Sequence, residues 1–237
     1  MVTSTNAIPR VSEVTPESQL QTLTMRIFDT KWNMSAVDAI APLSGQDDLT
    51  RFEEPLDRFW NKGFGKMLLV SRAAKDEVYF HRLDLIGLQE HCGLTRLDGV
   101  VTEISSTHTA NQIDWVMRQA YDRGATSVAL CSSPYHIVRC FATAIQWFYR
   151  HPEYDRIPIV PMWTGSLEML VPEMARNGAE VHGYDMVAGE ILRFFKYSSE
   201  LDDHGNPQEP DVANYAKVMK YLDWMRLKHP DMYLDAV

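Results

Sequence analysis

Cysteine is scarce in this chain. Cys92, Cys131 and Cys140 are the whole complement in 237 residues, and none forms a CxxC pair. An odd count without paired spacing fits a reducing compartment and argues against a disulfide framework. Long apolar runs are missing as well. No uncharged stretch approaches the ~20 residues of a membrane helix, and the opening MVTSTNAIPRVSEV lacks the apolar core of a signal peptide. Basic charge is in deficit: Lys+Arg 23 against Asp+Glu 32 leaves a formal net charge of −9. That balance speaks against a broad phosphate-backbone or anionic-membrane surface. The expectation is a cytoplasmic protein with neither nucleic acid nor membrane among its partners. Without a secretory signal, the sequon Asn33-Met34-Ser35 carries no glycosylation argument.

Several chemical signatures are absent too. The histidines at 81, 91, 108, 136, 151, 182, 204 and 229 show neither an H-E-x-x-H motif nor other paired spacing, so no metal is expected. Gly63-Phe64-Gly65-Lys66 precedes a strand instead of following one and reads as a turn, not a phosphate loop. There is no G-x-G-x-x-G after the first strand and no G-x-S-x-G nucleophile elbow.

What remains is an ordinary globular composition, 45% hydrophobic and 23% charged. Residues 1–14 are polar and aperiodic and read as a flexible tail. From there to residue 237 the pattern is that of a single α/β domain with a helical extension over about 205–230. Thr15-Pro16-Glu17 opens a helix continued by Leu20, Leu23, Ile27 and Phe28. Short apolar runs then alternate with helical patterns. The strands are expected at Val37–Leu43, Lys66–Val70, Asp98–Thr102, Ser127–Cys131 and Ile157–Pro161, the last confined to an edge or a frayed position by its two prolines. Helices are expected over Thr50 to Gly63, Tyr79–Cys92, Thr109 to Gly124, Pro134 to Phe148, 166–176, 186–198 and Asp211–Lys228. Thr50 with Glu53 and Thr109 with Gln112 read as capping boxes. This alternation predicts a doubly wound, mostly parallel sheet in a Rossmann-like three-layer sandwich, with helical additions at both ends.

In such sheets the ligand crevice lies beyond the carboxyl ends of the strands. The polar segments leaving those ends are Ser44-Gly45-Gln46-Asp47, Ser71-Arg72, Glu103 through Asn111, and Ser132-Ser133-Pro134-Tyr135-His136. If Ser133 caps the helix over Pro134 to Phe148 and Pro134 is its first residue, His136 stands in the first turn with Arg139 one turn on. The positive helix end there favours an anion and keeps the imidazole neutral. Arg139 adds a planar fork for phosphate or carboxylate. Cys131 reads as a small buried residue and not as a nucleophile, Trp115 and Trp147 as packing residues, and Trp163 as packing or a platform for a flat ring.

The run Ser132-Ser133-Pro134-Tyr135-His136-Ile137-Val138-Arg139 resembles the strand-end signature of the YdcF/SanA/ElyC-like family. The segment Glu103 to Asn111 is similar to that family's acidic-serine-threonine-asparagine segment, and Gly189-Glu190 with Arg193 and Tyr197 resembles a late helix of some members. The chain departs from the family in keeping one glycine at Ser44-Gly45, in having Arg72 after Ser71, and in having His108 where a threonine is expected. The resemblance implies a Rossmann-like pocket binding a nucleotide-like or S-adenosylmethionine-like small molecule. Which of the two serves as ligand or cofactor stays open. His136 and Glu103 are the expected proton-handling residues. The expected ligand-binding set is Ser44, Gly45, Ser71, Arg72, Ser105, Thr107, His108, Asn111, Ser132, Ser133, Arg139 and Glu190. The expected activity is that of a transferase or hydrolase acting on a small anionic substrate; the alternatives are a non-catalytic ligand-binding sensor and a phosphatase-like hydrolase. Whether the last helix covers the core, closes the pocket or meets a second copy in a homo-oligomer is open at this level.

Overall fold

Five short, mostly apolar runs make the centre of the molecule. The computed structural model describes residues 15–45, 49–71, 84–106, 108–168, 170–173, 179–202 and 204–234. In it Ala39–Pro42 (β1), Met67–Ser71 (β2), Val100–Glu103 (β3), Val128–Ser132 (β4) and Ile159–Trp163 (β5) form an all-parallel sheet ordered β3-β2-β1-β4-β5. Ala39 stands opposite both Met67 and Val128, Leu68 opposite Val100, and Val128 opposite Ile159. Every residue of β1, β2 and β4 is buried, as a sheet covered on both faces requires. β5 is an edge strand, where Pro161 costs no ladder donor on the open side.

The helices are Pro16–Asp29 (α1), Thr50–Arg58 (α2), Leu85–Cys92 (α3), Thr109–Asp122 (α4), Ile137–Arg150 (α5), Gly183–Ser198 (α6) and Tyr215–Lys228 (α7). α2 packs on β1 and β4 and against α3. α4 and α5 pack together over β2, β4 and β5, and α1 and α7 lie against α5. The result is a Rossmann-like three-layer α/β fold whose strand order reverses between β1 and β4. Among the described residues no helix is long and apolar enough to cross a membrane.

Local signals decide most boundaries. Thr15 caps α1 by accepting the Ser18 N–H at 3.3 Å, with Pro16 as the first helical residue. Gly63 ends the turn after α2 in the left-handed region, φ 88°.

The structure corrects three expectations. The helix expected over 166–176 is instead an antiparallel ribbon, Leu170–Glu173 (β6) with Ala179–His182 (β7); Pro172 would break a helix interior, while a two-stranded ribbon has an open side for it. Neither capping box forms: α2 follows Leu49 and α4 follows His108 without a side-chain cap, and Gln112 is directed inward. α5 starts at Ile137, so Ser133–His136 form a turn ahead of it and Pro134 is not its first residue. The tail at 1–14, the loop residues 46–48 and the start of the helix expected from Tyr79 lie outside the described residues.

The carboxy-terminal helix covers the core. Val218, Tyr221, Leu222 and Met225 of α7 are buried, and the Tyr221 hydroxyl donates to Ile157 O at 2.5 Å and accepts from Ile159 N at 2.9 Å. One hydroxyl thus holds the backbone entering β5. Trp163 stacks on Phe28 of α1 at 4.6 Å and serves packing. Tyr221→Phe leaves a buried donor and acceptor unmatched and is expected to cost about 1–3 kcal/mol. Chemical denaturation reads this as a lower midpoint with an unchanged m-value.

Candidate functional site

At the carboxyl ends of β3, β2, β1 and β4, polar side chains join into one hydrogen-bonded row. Glu103 ends β3 and accepts five hydrogen bonds: from the hydroxyls of Ser71 and Ser106, from the Ser105 N–H at 2.5 Å and hydroxyl at 2.7 Å, and from the Ser106 N–H at 3.1 Å. Burial opposes charge on this carboxyl, but these donors outweigh it and hold its pKa below the usual range. Gln112 of α4, 1% exposed, donates to Ser44 Oγ at 2.7 Å and lies 3.5 Å from Ser71 O. Arg51, fully buried in the first turn of α2, donates to Ser133 Oγ at 2.7 Å, to Leu43 O at 3.3 Å and to Tyr135 Oη at 3.0 Å. A Cβ at position 45 would stand 2.5 Å from Arg51 Nη1, so only glycine fits beside that guanidinium.

The row meets a second cluster at β4. His136 places Nδ1 3.4 Å from Ser132 Oγ and Nε2 3.3 Å from Thr109 Oγ1. Arg139 donates Nε to Glu190 Oε2 at 2.5 Å and Nη2 to Oε1 at 3.3 Å, and Nη1 lies 3.5 Å from Thr109 Oγ1. Arg193, one turn along α6 from Glu190, donates to the same carboxylate at 2.6 Å. Burial, then the Arg139 guanidinium, hold the His136 pKa well below its usual value. Glu190 is depressed to about 2, because the Arg139 charge and the hydrogen bonds from Arg139 and Arg193 outweigh its burial.

A crevice of about 380 Å³ opens on this cluster, lined by His108, Thr109, Arg139, Thr143, Arg193 and Tyr197 among others. A cleft of about 470 Å³ shares His108 and Thr143 and runs on past Ser105 and Asn111 toward Trp115 and Trp147. The backbone N–H groups of the first turn of α4 have no partner within the helix and carry its positive end.

The expected site residues therefore fall into two neighbouring groups. His136, Arg139, Glu190 and Ser132 come together, with His108 exposed on the rim. Glu103, Ser71 and Ser105 form the other group, which Gln112 ties to Ser44. Gly45 and Ser133 serve the Arg51 guanidinium, and Asn111 is exposed on the larger cleft, away from the imidazole. Arg72 and Thr107 lie outside the described residues. Sequence reasoning did not assign Arg51, Gln112, Thr109, Ser106, Tyr135 or Arg193 to the site, although Arg51 and Arg193 both stand in segments that carry the family resemblance. The spacing of Arg193 three residues after Glu190 was the one local signal available. Cys131 is fully buried and its thiol is pushed up by that burial, as an inert core residue requires. Among the described residues no three His, Cys, Asp or Glu side chains are gathered as metal ligands would be. No known protein-family model matches the chain, and no functionally curated protein matches it.

Two expected outcomes follow from this electrostatics. The folded protein keeps His136 neutral, so below its ordinary value of 6.5 the unfolded chain takes up a proton that the folded one refuses. Its share of stability is therefore full above pH 6.5 and falls on acidification, by up to ~1.4 kcal/mol per pH unit. Melting curves from pH 7 to 5 should show this slope, and His136→Asn should flatten it. Glu190→Gln strands two guanidiniums beside a neutral amide and should cost about 3 kcal/mol in urea unfolding.

Proposed function

We propose that the protein is a YdcF-like enzyme that binds a small anionic, nucleotide-like molecule in the crevice between α4, α5 and α6, and performs hydrolysis or group transfer on it. The observation that carries this reading is the gathering of Arg139 and Arg193 by one buried carboxylate, beside the amino end of α4 and a neutral imidazole. Two guanidinium charges against one carboxylate leave the trio at +1. The adjoining helix end adds to that field and suits a phosphate or carboxylate. The same field disfavours the sulfonium of S-adenosylmethionine. Among the described residues the one acidic side chain lining the crevice, Asp211, is tied to Arg150 at 2.9 Å. A nucleotide-like anion is therefore the better fit, and Tyr197 offers an aromatic ring at the same wall.

In this reading His136 Nε2 takes the proton of a hydroxyl or water held beside Thr109, and Ser132 steadies Nδ1. Arg139 and Arg193 stabilise the charge that develops on the substrate. Glu103 holds its serines in place and does not exchange a proton, because its depressed pKa and five donors keep it ionised. The resemblance to the YdcF-like family is supported by the parallel sheet and by the His–Arg segment that leaves β4 at its carboxyl edge.

Native mass spectrometry of freshly purified protein, followed by calorimetry with a nucleotide panel, tests the reading. Arg193→Gln, a partly exposed position, and Arg139→Lys should each weaken binding about ten- to a hundredfold, the range of a lost charged hydrogen bond. His136→Asn should retain binding and lose turnover. Binding unaffected in both arginine variants would overturn the site, and a ligand returned unchanged by the wild type would make the protein a sensor.

A further inference from the structure

On the other side of Arg139 lies a cavity of different chemistry. It measures about 410 Å³, is open on one side, and is lined by Leu20 and Thr24 of α1, Val138 of α5, and Val187, Ile191 and Phe194 of α6. Its walls are largely carbon; the exposed Glu17 and Gln21 of α1 stand at it, and Arg139 and Glu190 are the largely buried charged residues in its lining. Arg139 also lines the polar crevice, so one side chain borders both an apolar cavity and a polar one. Concave apolar space of this size with a few convergent charged groups is what small-molecule sites are made of.

Resting on the anion-binding reading above, we propose that the ligand is amphipathic: a free single-chain anion, of the alkyl phosphate or fatty carboxylate class, with its charged end at Arg139 and its chain in the α1–α6 cavity. Charge selects the sign of the head group. Glu190 is already shared by Arg139 and Arg193, which leaves the pair of guanidiniums in excess for an incoming anion. A cationic amphiphile would meet that excess and be refused. The carbon walls select the tail, since each methylene moved from water into them is stabilised independently of its neighbours.

The test is calorimetric titration of the full chain with inorganic phosphate and with butyl, hexyl and octyl phosphate. Affinity is expected to rise about fourfold per added methylene, the ~0.8 kcal/mol of burying one CH₂. Val187→Phe and Thr24→Phe fill the cavity from opposite walls at half-buried positions, and melting curves establish that each folds. Both should abolish the chain-length dependence while leaving inorganic phosphate binding unchanged. Phosphate binding without chain-length dependence would overturn the amphipathic ligand and leave the crevice reading standing. Chain-length dependence insensitive to Arg193→Gln would do the reverse. Dependence that survives both phenylalanine variants, a dimer that those variants dissociate, or association only with phosphatidic acid vesicles would each overturn the proposal.

Discussion

The carboxylate of Glu190 binds two guanidiniums, and much of the site's architecture depends on that sharing. α6 follows the small β6–β7 ribbon and does not belong to the sheet's crossover helices; its attachment combines apolar packing through Phe194 with a specific bond to α5. That bond, to Arg139, also fixes where the guanidinium points. A buried carboxylate alone would be expelled or protonated, and a buried guanidinium alone would be stranded. Together they hold a net positive charge at the place where a parallel sheet ordinarily receives its ligand.

The imidazole next to this group gains its neutrality from the same neighbours. A helix end was reason enough to expect an uncharged His136, and the structure reaches that state by another route. The ring is 7% exposed and faces Arg139, so burial and a like charge act before any dipole does. Beneath it, serines end or follow β1, β2 and β4, and their small hydroxyls let Gln112 and Arg51 reach the strand ends directly. Bulkier residues there would leave those two long polar side chains buried without acceptors.

The fold was legible because its elements obey local rules. Apolar runs of four or five residues, helical stripes such as Ile137, Cys140, Phe141, Ala144 and Ile145, and the proline-marked edge strand all appear where periodicity places them. The β6–β7 ribbon was not legible, for each strand has only four residues: Leu170–Glu173 does not alternate and carries a proline, and the alternation of Ala179–His182 is too short to stand out. The capping boxes misled for a physical reason: a side chain that fits a local cap also fits a distant partner, and Gln112 prefers Ser44. Within the site, His136 and Arg139 were readable from their positions after a strand, whereas Glu190 entered only through the family resemblance. Arg51 was not readable, since its partner Ser133 lies 82 residues away and nothing in a short window records that meeting.

Tyr221 closes the molecule in a way that bears on its biosynthesis. The edge strand beginning at Ile159 has its backbone secured by a phenol sixty-two residues later in the chain. While the ribosome is still threading the segment between them, four strands can associate but the fifth has no latch. The nascent polypeptide therefore exposes an unfinished border until α7 emerges, and an arrest or truncation before that point would release a species inclined to pair with its own kind.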